Sequence, residues 1–246
     1  MSDSTILAQT ALLTVTHDPK GRNIKLFNEL QREFEQIYKE LFITVSEETS
    51  IDLIKEIEKS KFNLKVIPKN GVAHARREVV KFGLTSESLH YHYCDFDRIL
   101  TWGQTYLTEL KAVVTDIQNH DYLVIGRTER AMNTHPVEWI ETEKITNQIF
   151  SLELGKKADI TAGSCAFSKE SAELISKYSK EKMTDAEWAM IISRIANQEV
   201  NYCSVDGLAY QEEINGLNQE INDSDKWLSR LKLCLIISES AMNTGK

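Results

Sequence analysis

Leu89-His90-Tyr91-His92-Tyr93-Cys94-Asp95-Phe96-Asp97-Arg98 is the stretch on which the reading of this chain turns. It starts as an aromatic run of strand-forming type and ends in two carboxylates one residue apart. In an extended chain, residues i and i+2 point to the same side. If the strand runs on through Asp97, the Asp95 and Asp97 side chains converge on one point. Two converging carboxylates repel each other unless a cation lies between them. A hard, oxygen-rich pair of this kind suits Mg2+ or Mn2+. A metal bridging a diphosphate is the most economical explanation of the pair.

Upstream, apolar runs alternate with helical stripes. Ala11 to Thr16 reads as a strand and is closed by the breaker cluster His17-Asp18-Pro19-Lys20-Gly21. From Asn23 to Leu41, apolar positions Ile24, Phe27, Leu30, Phe34, Ile37 and Tyr38 recur at gaps of three and four, the helical spacing. Phe42 to Val45 is a second strand, and Ser50 is placed to cap a helix over Ile51 to Ser60. Asn63 to Ile67 is a third strand, stopped by Pro68, and Ala73 to Phe82 a third helix. The order β-α-β-α-β-α-β predicts a parallel sheet with helices on its faces. Ligands of such sheets bind beyond the carboxyl ends of the strands. His17, Asp18, Ser46, Glu47, Lys69 and Asp95 all fall at those ends.

Downstream, the pattern predicts helices over Trp102 to Gln118, Glu141 to Leu154, Ser168 to Ser179 and Thr184 to Ala196. Strands are expected at Asp121 to Arg127 and Val200 to Val205, with a broken strand-like piece over Ala158 to Phe167. Asn215 to Asp225 reads as a linker. Trp227 to Met242 reads as an amphipathic helix, whose Leu228, Leu231, Leu235 and Ile236 stripe is expected to pack on the body or on a twin subunit in a homodimer.

The chain has 246 residues, 41% hydrophobic, enough for one large domain or two small ones. Its 29 basic and 37 acidic residues leave a formal charge of −8, which disfavours a nucleic-acid surface. Cys94, Cys165, Cys203 and Cys234 show no zinc spacing and no disulfide framework, and read as free thiols of a reducing compartment. Met1 to Thr10 lacks the pattern of a signal peptide, and no apolar run reaches membrane-spanning length. The expectation is a soluble, cytoplasmic protein. No GxGxxG follows the first strand, so a nicotinamide enzyme is poorly supported, and the phosphatase class with an Asp-x-Asp nucleophile places its aspartates after the first strand.

Asn70-Gly71-Val72-Ala73-His74-Ala75-Arg76-Arg77, followed by Tyr91 to Asp97, resembles the GT-A glycosyltransferases of the family 2 type. Gly163-Ser164-Cys165-Ala166-Phe167-Ser168-Lys169-Glu170 resembles their acceptor-side segment, and Thr184-Asp185-Ala186-Glu187-Trp188 their acidic helix start. The second half is also similar to the mannosylglycerate synthases, which share the fold. The likeness spans roughly residues 10 to 210 in order of elements. It implies one GT-A-like domain over 1–246: a nucleotide-binding half at 10–100, an acceptor half at 101–213 and a C-terminal helical extension at 214–246. It implies a UDP- or GDP-linked sugar as donor and a divalent cation, Mg2+ or Mn2+, held by Asp95 and Asp97. It places His17, Asp18, Ser46, Glu47, Lys69, Arg76 and Asp95 against the nucleotide sugar, and Asp185 or Glu187 as the catalytic base. Relatives carry a late histidine as a third metal ligand; here the last is His135, and Val205 to Glu213 offers Asp206, Glu212 and Glu213. The alternative is a non-catalytic nucleotide-binding or scaffolding protein on the same fold.

Each residue also has a plainer reading. Asp97 pairs with Arg98 or caps a helix. His17, Asp18, Ser46 and Glu47 serve turns and helix starts. Lys69, Arg76 and Arg77 form a solvated face. Thr184-x-x-Glu187 is a capping box, with Asp185 favouring the helix's first turn. His90 and His92 read as core, and His135 as a loop residue near the acceptor. Arg127, Glu129 and Arg130 offer donors to an anionic acceptor, or else form a salt-bridged edge.

Overall fold

The computed structural model describes residues 9–216 and 222–246. The chain begins with β1 (Thr10–Thr16), α1 (Ile24–Ile37), β2 (Glu40–Ser46), α2 (Ile51–Glu58), β3 (Asn63–Ile67), α3 (Val72–Gly83) and β4 (His90–Cys94). It continues with α4 (Phe96–Thr105), α5 (Leu107–Asp116), β5 (Tyr122–Arg127), the short α6 (Glu129–Met132), α7 (Val137–Leu154), β6 (Ser164–Ser168) and α8 (Lys169–Tyr178). Last come α9 (Asp185–Met190), which runs into a π-helical turn, β7 (Val200–Val205), the single turn α10 (Glu212–Asn215) and α11 (Asp223–Asn243).

Among the described residues the strands form one seven-stranded sheet in the order β3-β2-β1-β4-β6-β5-β7. The pairs β1–β2, β1–β4, β2–β3 and β5–β7 are parallel, and β6 runs antiparallel between β4 and β5. Ala11, Leu12 and Leu13 on β1 are fully buried, because helices cover both faces of the sheet. Leu12 joins the core under α1 and α4; its neighbours Ala11 and Leu13 join the one under α3 and α9. β3 lies at the edge, and its Lys65 and half-exposed Val66 suit a strand with one free side.

Several boundaries differ from the sequence reading. α1 stops at Ile37, because Lys39 N–H pairs with the Thr10 carbonyl and turns the chain into β2. The expected helix Trp102 to Gln118 is two helices, parted where Tyr106 leaves helical backbone (φ −134°, ψ 47°). Of Ala158 to Phe167, only Ser164 onward is strand. Asn215, expected in a linker, is buried at the end of α10; residues 217–221 of that expected linker lie outside the described residues. α11 packs on α7 and α9. All four cysteines are free. No described helix is long and apolar enough to cross a membrane.

His92 on β4 is fully buried, its ring bridging Tyr38 Oη (2.7 Å) and Ser164 Oγ (3.1 Å). Burial pushes its pKa down to about 3. Between pH 6.5 and 3 the unfolded chain therefore takes up a proton that the folded chain refuses. Stability falls with pH across that window, by up to about 1.4 kcal/mol per pH unit from this residue. Urea denaturation at pH 7 and pH 5 should show His92→Gln losing about 2 kcal/mol less than the native chain over that interval. Equal losses would count against this origin.

Candidate functional site

β1, β2, β3 and β4 run in the same direction, so their carboxyl ends share one rim. A cavity of about 430 Å³ opens there, lined by His17 and Asp18 after β1, Ser46 at the end of β2, Lys69 and Gly71 after β3, and Asp95 and Asp97 after β4. His17 Nδ1 lies 2.7 Å from Ser46 Oγ. Asp18 accepts from Asn23 N–H at 2.9 Å, so it closes the turn before α1 while facing the cavity. Lys69 Nζ meets Glu48 Oε2 at 2.6 Å. Gly71 sits at φ +86° ahead of α3 and contributes no side-chain cap. The first-turn N–H groups of α3 thus remain available to a ligand.

β4 stops at Cys94, one residue short of the carboxylates. Asp95 leads into α4 and Asp97 lies in that helix's first turn. The same-side alternation expected of a strand therefore does not apply; a strand-to-helix turn brings both side chains to the cavity. A helix start favours acids by its dipole, so the turn tolerates what a strand end would not.

Arg76 holds this turn in place. Its buried guanidinium donates to Asp95 Oδ2 (2.9 Å) and Oδ1 (3.2 Å), Asp185 Oδ2 (2.7 Å), Thr184 Oγ1 (3.2 Å) and Tyr93 Oη (2.8 Å). Tyr93 Oη in turn donates to Asp95. Burial works against the Arg76 charge, but Asp185 and Asp95 outweigh it and raise its pKa well above the ordinary value. Burial likewise raises Asp185, with Arg76 opposing. On the far side, Gly163 at φ +74° abuts Asp95; a Cβ there would come within 2.6 Å of Oδ2. Asp95 is thus boxed between a guanidinium and a glycine.

Asp97 accepts from Asn215 Nδ2 at 2.8 Å, and Arg98 Nε lies 4.0 Å away. Burial pushes the Asp97 carboxyl up; Arg98 pulls it back, and the Asp95 charge adds to the rise. An acid raised beside another acid marks a place short of positive charge. Two hard carboxylates facing one cavity fit Mg2+ or Mn2+, with further positions left for ligand oxygens and water. No cluster of three His, Cys, Asp or Glu suited to a metal occurs among the described residues.

A second cavity of about 320 Å³ shares Val72, Asp95, Asp97 and Asn215 with the first. Its lining also includes Arg98, Trp139, Glu143, Asp185 and Arg230, with Leu233 and Ile237 of α11. The two cavities meet at the paired aspartates.

No family model matches the chain, and no curated protein matches it. Solved structures do. Glucosyl-3-phosphoglycerate synthase from Mycobacterium tuberculosis, in complex with Mn2+, UDP-glucose and glycerol 3-phosphate, superposes with a TM-score of 0.56 at 9% identity, over 96% of this chain and 81% of that one. Its complex with Mn2+, UDP-glucose and phosphoglyceric acid gives 0.56 at 10%, over 96% and 80%. The fold is GT-A. At these identities the likeness is one of fold, and it agrees with the mainly parallel sheet described above.

Within this GT-A frame the expected site residues divide. His17, Asp18, Ser46, Lys69, Asp95 and Asp97 line the first cavity; Arg76, Asp95, Asp97 and Asp185 line the second. Glu47 is exposed and lines neither, its nearest donor being Lys69 N–H at 3.4 Å. Glu187 is buried and turned from both: it accepts from Glu181 N–H (2.7 Å), Lys180 N–H and Ser179 Oγ. The capping box does not form, since Glu187 is spent on the 179–181 loop and Thr184 on Arg76. Arg77 braces the same loop through Ser179 Oγ at 2.8 Å.

Arg127 is neither an acceptor contact nor an exposed edge. It is buried against Asp159 (2.8 Å), Glu143 (2.7 Å) and Thr161 (2.8 Å). Arg130 pairs with Asp206 at 3.1 Å, and Glu129 opens the short α6. His135 is buried, bonded to the Ala131 carbonyl and pushed down to about 3 by burial. His90 is half-buried on β4, and burial lowers it too. Asp206, Glu212 and Glu213 line neither cavity; Asn215 reaches the aspartates from that region instead. Tyr93 had a sequence signal, lying two residues before Asp95. Gly163 was marked only as the start of the segment resembling an acceptor-side motif, and Asn215 had no signal, because only the fold brings them to Asp95 and Asp97.

Arg76→Met should cost about 3–5 kcal/mol in urea denaturation, because it leaves two acids facing each other without a cation. Adding Asp185→Asn should recover part of that loss. A cost under about 1 kcal/mol would mean that the cluster is not held by this charge.

Proposed function

We propose that the chain is a glycosyltransferase that moves a sugar from a nucleotide diphosphate to an acceptor hydroxyl. One observation carries the reading: two cavities, each large enough for a small ligand, meet at one pair of carboxylates at the rim of a parallel sheet. The first is assigned to the donor; residues of 10–100 make most of its lining, and Ile214, Asn215 and Gly216 complete it. The second is assigned to the acceptor; it joins Arg76, Asp95, Asp97 and Arg98 of the first half to Trp139, Glu143 and Asp185 of the second and to Arg230 of the helical extension. The solved structures of similar fold hold UDP-glucose with Mn2+, which supports a UDP- or GDP-linked donor here.

Asp95 and Asp97 are the residues that would hold Mg2+ or Mn2+. Such an ion acts as a Lewis acid, neutralising a nucleoside diphosphate as it leaves. His17, Asp18 and Ser46 lie where a nucleoside would rest, and the Ser46 and His17 pair offers both a donor and an acceptor. The uncapped start of α3 and Lys69 supply positive potential to a diphosphate. Arg76 positions Asp95 rather than touching the ligand, since its donors are all spent on protein. Asp185 is one of the acids lining the second cavity, and its raised pKa suits a group that takes the acceptor's proton. Glu187 is left as a brace for its loop.

A second reading is a nucleotide-binding scaffold without transfer. It is favoured by Arg76, which already neutralises Asp95. A thermal-shift screen separates the two. UDP or GDP at about 100 times its Kd should add about 2.7 kcal/mol, a rise of roughly 5–10 °C, and only with Mn2+ or Mg2+ present. Asp97→Asn should lose the metal-dependent part while keeping its fold. Slow release of free nucleoside diphosphate from a nucleotide sugar, lost in Asp185→Asn, would decide for transfer. A nucleotide shift that ignores the metal, with no such release, would decide for the scaffold.

A further inference from the structure

We infer that the part of the second cavity lined by Arg98 and Arg230 is an oxyanion subsite, so that the acceptor is a small anionic hydroxy compound. This rests on the assignment of that cavity to the acceptor.

Arg98 lies on α4 and is 8% exposed. Among the described residues, its Nη1 is buried with no hydrogen-bond partner, and the acid it pairs with is Asp97, at 4.0 Å. Arg230 comes from α11. Its Nη2 donates to Glu143, but its Nε is buried without a partner. Both side chains line the same cavity. Buried guanidinium N–H groups left unpaired are costly, and arginine presents them in a fork that matches carboxylate or phosphate oxygens.

Glu143 lines the same cavity, but its oxygens are already taken by Arg127, Arg230 and Thr161. Asp159 is taken by Arg127 and Asn147. Once Asp97 serves a cation, Arg98 has no acid of its own. The two guanidinia are also held rigidly: Arg230 stacks 3.8 Å from the Trp139 ring centre, with Arg98 5.8 Å from the same ring and 5.7 Å from Tyr210. A fixed pair of cations gives orientation as well as attraction. The cavity volume, about 320 Å³, matches roughly ten waters at about 30 Å³ each, which limits the occupant to a small molecule. An anion at Arg98 and Arg230 shares the cavity with Asp185 and the paired aspartates.

Calorimetric titration of the full chain with inorganic phosphate, lactate and glycerol tests this. The inference expects phosphate or lactate to bind and neutral glycerol not to. Phosphate alone would identify a phosphorylated acceptor, lactate alone a carboxylate. Arg230→Gln and Arg98→Gln should each weaken the anion about tenfold or more, with Arg230→Lys keeping part of the affinity. If Arg98→Gln does not fold, the Arg230 pair of variants decides. Phosphate resting at the start of α3 would ignore both arginines, and that insensitivity would overturn the inference, as would equal behaviour of lactate and glycerol. UDP with Mn2+ is titrated separately. Nucleotide binding without anion binding sinks the subsite alone. Anion binding sensitive to Arg230, without nucleotide binding, sinks the transferase reading and leaves the subsite standing.

Discussion

A single buried guanidinium ties the two halves of this chain together. Arg76 comes from α3, Asp95 from the turn after β4 and Asp185 from α9, more than a hundred residues downstream. Two acids at 2.7 and 2.9 Å from one cation make the arrangement mutually dependent. Asp185 could not be buried without Arg76, and Arg76 could not be buried without the two acids. The turn that carries Asp95 and Asp97 is aimed by this contact, and both cavities open from that turn.

The same contact divides the labour of the acids. Asp95 is half neutralised before any ligand arrives, whereas Asp97 faces a carboxamide and a more distant arginine. A cation entering between them meets one satisfied carboxylate and one that is short of positive charge. Beyond them, Arg98 and Arg230 line the second cavity beside Glu143 and Asp185, and Arg230 shares Glu143 with the buried Arg127. On the proposed reading, these cations suit an acceptor that carries its own negative charge.

Much of the fold was readable because parallel strands covered on both faces appear as unbroken apolar runs between helical stripes. β1, β3 and β7 matched their sequence patterns closely. The aspartates were read in the wrong geometry. Strand alternation was extended to Asp97, although the chain turns into α4 at Asp95, where acids favour a helix start. Glu187 looked like a cap because three-residue spacing is all a local pattern can show; its true partners are loop N–H groups at 180 and 181. Arg127 looked exposed because its partners Glu143 and Asp159 lie 16 and 32 residues away, beyond any local pattern. Asn215 was hidden in a polar stretch that reads as linker.

Anomalous diffraction from crystals grown with Mn2+ and a nucleoside diphosphate tests the central claim most directly. The account predicts one strong manganese peak in contact with oxygens of both Asp95 and Asp97, bridging to the diphosphate at the start of α3. A nucleotide bound in the first cavity with no manganese at the aspartates, or a manganese peak elsewhere, would contradict it.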